Sequence, residues 1–448
     1  MFGYMEMTIL IGVLLALVFL GVHLAVALGT TAAVGIYLIN HDIDMVRTFV
    51  ANTAFETLRD YVFAVIPLFM LMGEFLAKCG AARDMFALIN SLTRRIPGRL
   101  GVATVLANAV FAFVTGVSIA AAAAFSRIAY PEMKRHGYNR KFALGCIAGS
   151  ACLGMLIPPS VLMIVWGVLT EQSIGKLFLA GVLPGFVLVA FFVVYILWVA
   201  MTKPELVGAG PTHAKLTAEL SSHEVGKAAW STMTVIAVVF LTLGGIWLGF
   251  FTPTEGAGVG AVLALLFALM KGMKPREMFE VVMSVGRTSA PLLLLLFTAQ
   301  LYSRVLSMTG VTKATQDLFL ATGFGPYGVL ALMVLIWFVL GCLIDSISII
   351  LLTVPVFAPI AGALGFDPLA FAMIGILAIE TGFLTPPFGL VVFTVKAALP
   401  EENVTVGEIF RGSAPYWVGL LGVIICIVIF PGIATWLPEL STKVIVGN

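Results

Sequence analysis

Two short runs of this chain carry residue types that build ion sites in an apolar protein. Leu156-Ile157-Pro158-Pro159-Ser160 and Leu384-Thr385-Pro386-Pro387 repeat one pattern 228 positions apart, with Gly154 and Gly382 at matching places before them. At a Pro-Pro step two successive amides are missing, and the residue before each proline is pushed out of helix. The carbonyls of Ile157 and Pro158, and those one turn earlier, are therefore left free, and Pro386 repeats the construction beside Thr385, Gly382 and Gly389. Two more clusters, Thr115-Gly116 with Ser118 and Asp345-Ser346 with Ser348, stand where apolar segments must turn. Each such discontinuity leaves one helix end with free carbonyls, suited to a cation, and one with free amides, suited to an anion. A cage of carbonyls and hydroxyls with few carboxylates fits Na⁺ better than Ca²⁺. The cation candidates are Thr115, Gly116, Ser118, Gly154, Ile157, Pro158, Ser160, Asp345, Ser346, Ser348, Glu380, Gly382, Thr385 and Pro386. For an anionic solute they are Ser118, Ser160, Ser346 and Thr385, with Arg127 as a further one. Asp345 reads either as a cation ligand or as a structural helix cap, and Glu380 is equally open.

Other residues carry blander readings. Pro67, Pro184, Pro291 and Pro415 read as kinks, His23 as a hydrogen-bonded packing residue, and Ala120–Ala124 as a face for close helix approach. Glu74, Arg127, Arg287 and Arg304 snorkel or pair. The run Phe251-Thr252-Pro253-Thr254-Glu255 reads as a turn with a helix cap and a first-turn carboxylate. The five cysteines show no CxxC spacing and read as small core residues.

The elements that hold these residues are membrane helices. Hydrophobic residues make up 60% of the 448 and charged ones 11%, where a soluble domain has ~25% charged. The net charge of +2 and the lack of a basic stripe give no sign of a nucleic-acid partner; the bilayer is the expected surrounding. No HExxH, GxGD or partnered GxSx motif supports an intramembrane enzyme, and no cofactor is expected. A passive channel fits the broken helices but not ion coupling. No Lys or Arg precedes Arg47, so the N-terminus reads as a first anchor rather than a cleaved signal.

Uncharged stretches above the ~20 residues a span needs recur along the chain. We expect helices near 4–21, 24–40 and 58–78, an interfacial arm near 82–95, a re-entrant hairpin over 100–133 with its tip near Thr115–Ser118, a broken helix over 142–170 and a span over 177–201. After a polar linker at 202–227 come spans near 228–250, 256–270 and 281–303, an arm at 311–321, a hairpin over 324–360 with its tip at Asp345-Ser346, a broken helix over 368–399 and a span over 410–432. The tail is 433–448. Each half thus has five crossings, a hairpin and a broken helix. The 228-residue offset also pairs Pro131 with Pro359, Gly137 with Gly365, Tyr138 with Phe366 and Asn139 with Asp367. The basic connectors of the first half, 93–99 and 134–141, have counterparts at 321–327 and 361–368 that carry no positive charge. Basic loops face the cytoplasm, so the halves are expected to be inverted copies, with both termini periplasmic. In domain terms, 1–98 and 228–322 form scaffold and arms, and 99–201 and 323–432 form a transport body.

The chain resembles the large membrane subunit of tripartite ATP-independent periplasmic (TRAP) transporters. The resemblance lies in Pro131-Glu132-Met133-Lys134, Gly137-Tyr138, Leu153-Gly154-Met155-Leu156-Ile157-Pro158-Pro159-Ser160 and Ser173–Gly181. In the second half it lies in Thr252-Pro253-Thr254-Glu255, Gly365-Phe366-Asp367-Pro368 and Glu380–Gly389. It implies an elevator-type secondary transporter in a bacterial inner membrane, taking up a C4-dicarboxylate, sialic acid or similar carboxylate with Na⁺. It further implies a periplasmic binding protein that delivers the solute and a separate four-helix membrane subunit. A stand-alone elevator-type Na⁺/carboxylate symporter is the alternative.

Overall fold

The computed structural model of the chain describes residues 2–208, 222–321 and 323–446. Among them every regular element is helical. The first half runs α1 Phe2–Phe19, α2 Leu24–Asn40, α3 Ile43–Arg59, α4 Val65–Lys78, α5 Ala81–Leu92, α6 Arg99–Thr115, α7 Ser118–Arg135, α8 Arg140–Ala151, α9 Leu153–Leu156, α10 Val161–Thr170 and α11 Ile174–Thr202. The second runs α12 Ser222–Trp247, α13 Pro253–Met270, α14 Pro275–Met308, α15 Val311–Ala321, α16 Gly325–Gly341, α17 Ser346–Ala363, α18 Pro368–Gly382, α19 Leu390–Ala398 and α20 Val406–Ile429, followed by α21 Gly432–Val446.

The helices begin where short polar side chains can take the first free amides. Asn139 accepts from Lys141 and Phe142 to start α8, and its image Asp367 accepts from Leu369 and Ala370 to start α18. Thr252 and Glu255 close a capping box on α13, as the sequence indicated. His23, expected as a hydrogen-bonded packing residue, makes its hydrogen bond as the cap of α2, accepting from the Ala25 amide. The two helices expected over residues 4–40 are distinct.

An offset of 228 carries α7 onto α17 with identical bounds, and α8 onto α18 at their first residues. It carries α3 and α4 together onto the 34-residue α14. Asp60 makes the difference: it leaves the helix at ψ 111 and caps the following 3₁₀ turn, Tyr61–Ala64, through Val62. Its image, Thr288, bonds back to the Ser284 carbonyl and the helix continues. Packing between the halves is reciprocal. α4 lies on α13 and α14 on α2; α5 on α12 and α15 on α1; α7 on α19 and α17 on α10; α8 on α20 and α18 on α11. Contacts that map onto one another when the halves exchange are what a twofold relation produces.

Eight of the described helical segments are long and apolar enough to cross a membrane. The first hairpin arms, α6 and α16, have 17 residues each, about 25 Å, and so fall short of a ~30 Å hydrocarbon core. In its most apolar 18-residue stretch the first broken element, Arg140–Thr170, is 89% buried inside the protein, against 33% for the corresponding stretch of α14.

Three expectations need correction. Residues 43–59 form a helix, α3, that low hydrophobicity concealed; it packs on α2 and α14. α12 starts at Ser222, within the expected linker, of which 209–221 lie outside the described residues. Most of the expected tail is the helix α21, which packs along α11 and is tied to the end of α12 by Ser441 Oγ donating to the Trp247 carbonyl at 2.9 Å.

Candidate functional site

The first tip closes on the first break. Gly116 ends α6 at φ 60, a conformation open to glycine. A Cβ there would lie 2.1 Å from the Pro159 carbonyl oxygen. The Val161 amide donates to the Gly116 carbonyl at 3.3 Å, and a Cβ on Gly154 would meet the Val117 carbonyl carbon at 3.0 Å. The chain between α9 and α10 is interrupted as the prolines require, with Ile157 extended and the Pro158–Pro159 peptide cis. Ser160 caps α10 through Met163. Ile157, Pro158, Pro159, Ser160, Gly154 and Ser118 are all buried. Thr115 turns its hydroxyl back to the Phe111 carbonyl at 3.3 Å.

Glu380 reaches this first cluster from the other half. Ser118 Oγ donates to Glu380 Oε2 at 2.7 Å. Glu380 is 1% exposed, and its Oε1 has no hydrogen-bond partner among the described residues. Beside it lies Cys152, its own image at an offset of 228, with Sγ 3.9 Å from the Glu380 carbonyl oxygen.

The second tip and break are arranged differently. The 228-residue relation would bring Asp345 onto Gly382 as Val117 meets Gly154. Instead, Gly382 meets Gly341, where a Cβ would lie 2.6 Å from Gly341 Cα. That is four residues earlier, about one helical turn. Thr385 Oγ1 donates to the Gly382 carbonyl at 3.0 Å and lies 3.0 Å from Cys342 Sγ. Asp345 caps α17, with Oδ1 accepting from the Ser348 amide at 3.0 Å and Oδ2 from the Ser348 hydroxyl at 2.5 Å. Ser346 and Ser348 are buried behind it, while Asp345, Leu343, Pro386, Pro387 and Phe388 are exposed. The Pro386–Pro387 peptide is again cis. Arg127 is exposed on α7, about 13 Å along the helix from the tip, and is brought to neither cluster.

Helix-end electrostatics separate the four starts. α10 and α17 are capped by their own Ser160 and Asp345. α7 has no side-chain cap from Val117, but Glu380 binds its first residue. α19 starts at Gly389, φ 56, with no side-chain cap, next to the exposed Pro386–Phe388. Sequence reasoning overlooked Cys152, Cys342, Gly341 and Asn108. The 228-residue offset from Glu380 pointed to Cys152. Asn108 donates to Ser150 Oγ at 2.7 Å, linking α6 to α8 within the buried core.

The architecture is two hairpin tips and two helix breaks drawn from two matching halves. The family model described as tripartite ATP-independent periplasmic transporter, DctM component, matches residues 11–433. The chain belongs to this family. It is a TRAP large permease, a multi-pass membrane transport component and not an enzyme. It is 33% identical to the C4-dicarboxylate TRAP transporter large permease protein of Pseudomonas aeruginosa, over 92% of this chain and 94% of that one. With the ectoine TRAP transporter large permease protein of Halomonas elongata it shares 27% identity over 97% of this chain and 100% of the other. The fold is also that of the Alcanivorax borkumensis YdaH transporter, with a TM-score of 0.64 at 14% identity, covering 88% of this chain and 90% of that one.

Proposed function

We propose that this TRAP large permease carries an organic carboxylate inward with Na⁺, taking it from a periplasmic binding protein and working beside a small membrane subunit. The observation that carries the reading is the glycine-mediated closure of the first tip on the first break. It brings the Pro159 carbonyl, the Ser118 hydroxyl and the free oxygen of Glu380 into one buried neighbourhood, the oxygen chemistry that suits a hard monovalent cation. The carboxylate of the solute is assigned to the uncapped start of α19 at the exposed second break, where amides are free and no protein carboxylate already competes. The relatives named for C4-dicarboxylate and ectoine support a carboxylate-bearing solute.

Inversion of the halves is part of the proposal. Lys134 Nζ meets Glu402 at 2.7 Å, and Arg140 donates to the Glu402 carbonyl at 2.8 Å. The basic end of the first hairpin therefore lies with the far end of the second broken element. If α18 and α19 together cross the bilayer, Gly365 and Asp367 lie on the opposite side from their images Gly137 and Asn139. A body of α6–α11 and α16–α20 would then move against a scaffold of α1–α4 and α12–α14. One net positive charge per cycle moved through 100 mV supplies ~2.3 kcal/mol, or about 40-fold accumulation at ~1.4 kcal/mol per tenfold.

Proteoliposomes holding the assembled transporter, with binding protein added, test the reading. Uptake is expected to need an inward Na⁺ gradient, and equal uptake with K⁺ in its place would sink Na⁺ coupling. Full uptake without the binding protein would point to the stand-alone symporter instead.

A further inference from the structure

The contact between Ser118 and Glu380 joins segments 262 positions apart, and it is unlike the rest of the buried core. A carboxylate is costly to bury unless it is paired and fully hydrogen-bonded. Glu380 receives one hydroxyl, and Oε1 receives nothing. Cys152 Sγ lies against the backbone carbonyl of Glu380 rather than its carboxylate, and no Lys, Arg or His is seen to pair with the acid among the described residues. An acid kept in that state inside a membrane protein marks a place where something binds.

The twofold relation sharpens the point. The image of Glu380 is Cys152, and the image of Ser118 is Ser346. The first half thus offers a thiol where the second offers a carboxylate, and α17 takes its acid in cis, from Asp345. Only one of the two tips is held by an acid from the other half. Glu380 stands two residues before Gly382, on the last turn of α18, directly ahead of the second break.

We propose that Glu380 is the positioning residue that couples the two breaks. One oxygen holds the first tip through Ser118; the other is the ligand offered to the coupling cation at that tip. A cation on Oε1 neutralises the carboxylate and fixes the end of α18, and through Gly382 and Thr385 it orders the second break where the solute's carboxylate is assigned. Coupling runs from the first site to the second and has no symmetric counterpart through Cys152. The inference rests on the Na⁺-coupled reading above.

The test uses the assembled transporter with Glu380→Gln, Ser118→Ala and the double variant, reading the Na⁺ concentration for half-maximal uptake against the maximal rate. Glu380→Gln keeps the acceptor for Ser118 and loses the charge. It is expected to raise the half-maximal Na⁺ concentration about tenfold, with a smaller change in maximal rate. Ser118→Ala is expected to raise it less, and the double variant to be no worse than Glu380→Gln alone. The Na⁺-induced rise in melting temperature should shrink in both single variants, a readout that a purely structural role would not move and that serves if uptake is lost altogether. Should Glu380→Gln not assemble, the Ser118→Ala thermal shift decides by itself. Effects that multiply independently, or a Na⁺ response unchanged in both variants while present in wild type, would overturn the proposal. A wild type indifferent to Na⁺ would instead sink the coupled function itself.

Discussion

Gly145 of α8 and Gly412 of α20 bring two helix backbones into direct contact: a Cβ on Gly145 would lie 2.0 Å from the Gly412 carbonyl oxygen, and one on Gly412 would lie 2.0 Å from the Lys141 carbonyl oxygen. In a membrane, where lipid is as apolar as leucine, close packing of this kind is a principal source of helix association. The same pair also locks the broken element of the first half to α20 of the second.

Alanine at either glycine should therefore separate α8 from α20. Because the clash is with backbone, neither rotamer change nor small shifts relieve it, and overpacking costs of about 1–3 kcal/mol or more are expected. Gly145→Ala and Gly412→Ala should each lower the melting temperature of the purified protein by several degrees or reduce its recovery as a monodisperse species. Gly422→Ala, on the same α20 with open space around it, should match wild type in both measurements.

Three aromatic rings drawn from both halves meet in the buried core. Trp166 of α10, Trp337 of α16 and Phe371 of α18 pack in tilted and edge-on arrangements with ring centroids 5.2–5.9 Å apart, and Trp337 Nε1 donates to Thr353 Oγ1 at 2.7 Å. Trp337→Phe keeps most of the volume and loses one buried hydrogen bond, about 1 kcal/mol. Trp337→Ala opens a cavity and should cost about 3–5 kcal/mol. Chemical or thermal denaturation of the two variants should separate them by at least 2 kcal/mol, on the lower bound of these ranges.

Much of this arrangement was legible in the residues because its causes are local. Pro158-Pro159 breaks a helix wherever it stands; Gly116 ends one by its backbone, and Asp345 starts one by its side chain. The matching offset then located the counterpart. What escaped was decided at a distance. Glycines such as Gly145 and Gly341 reveal their role only when the partner backbone is in place. Cys152 looked like a small core residue until its image, Glu380, was found beside it. α3 was hidden because a polar, amphipathic helix lacks the hydrophobic run by which spans are recognised. The one-turn difference between the two tips could not follow from a repeat that predicts equivalence.

Gly116→Ala tests whether tip closure matters to transport. The added methyl group meets the Pro159 carbonyl oxygen at 2.1 Å and sits at φ 60, so the first tip cannot rest on its break. Na⁺-dependent uptake should be lost while the protein is still inserted and recovered. Gly365→Ala is the control: its φ is +83, but it has open space around it, so it carries backbone strain of about 1–2 kcal/mol alone and should retain uptake. Equal loss in both variants would refute the importance of the tip contact.

Asp345 offers a cleaner choice between ligand and cap. Both of its oxygens are engaged by Ser348, and asparagine is an equally good N-cap whereas alanine costs about 1 kcal/mol. Asp345→Asn should therefore keep the wild-type melting temperature and Na⁺ dependence, and Asp345→Ala should lower the melting temperature. A large rise in the Na⁺ requirement of the asparagine variant, with stability unchanged, would return Asp345 to the coordination sphere.

Arg135 and Gly362 decide the orientation of the halves. Both are exposed, and each lies near the end of the second arm of its hairpin. If the repeat is inverted, single cysteines at these positions, introduced after the five native cysteines are replaced, will react with a membrane-impermeant thiol reagent from opposite sides of the membrane. Arg135→Cys should be labelled only once the cytoplasmic face is opened, and Gly362→Cys in intact cells. The charge pattern supports this outcome, because Lys134 and Arg135 belong on the cytoplasmic side and the loop after α17 carries no Lys or Arg to hold it there. Labelling of both from one side would make the halves parallel copies, remove the basis for alternating access by exchange of equivalent states, and require a different account of how Ser118 and Glu380 come to face one another.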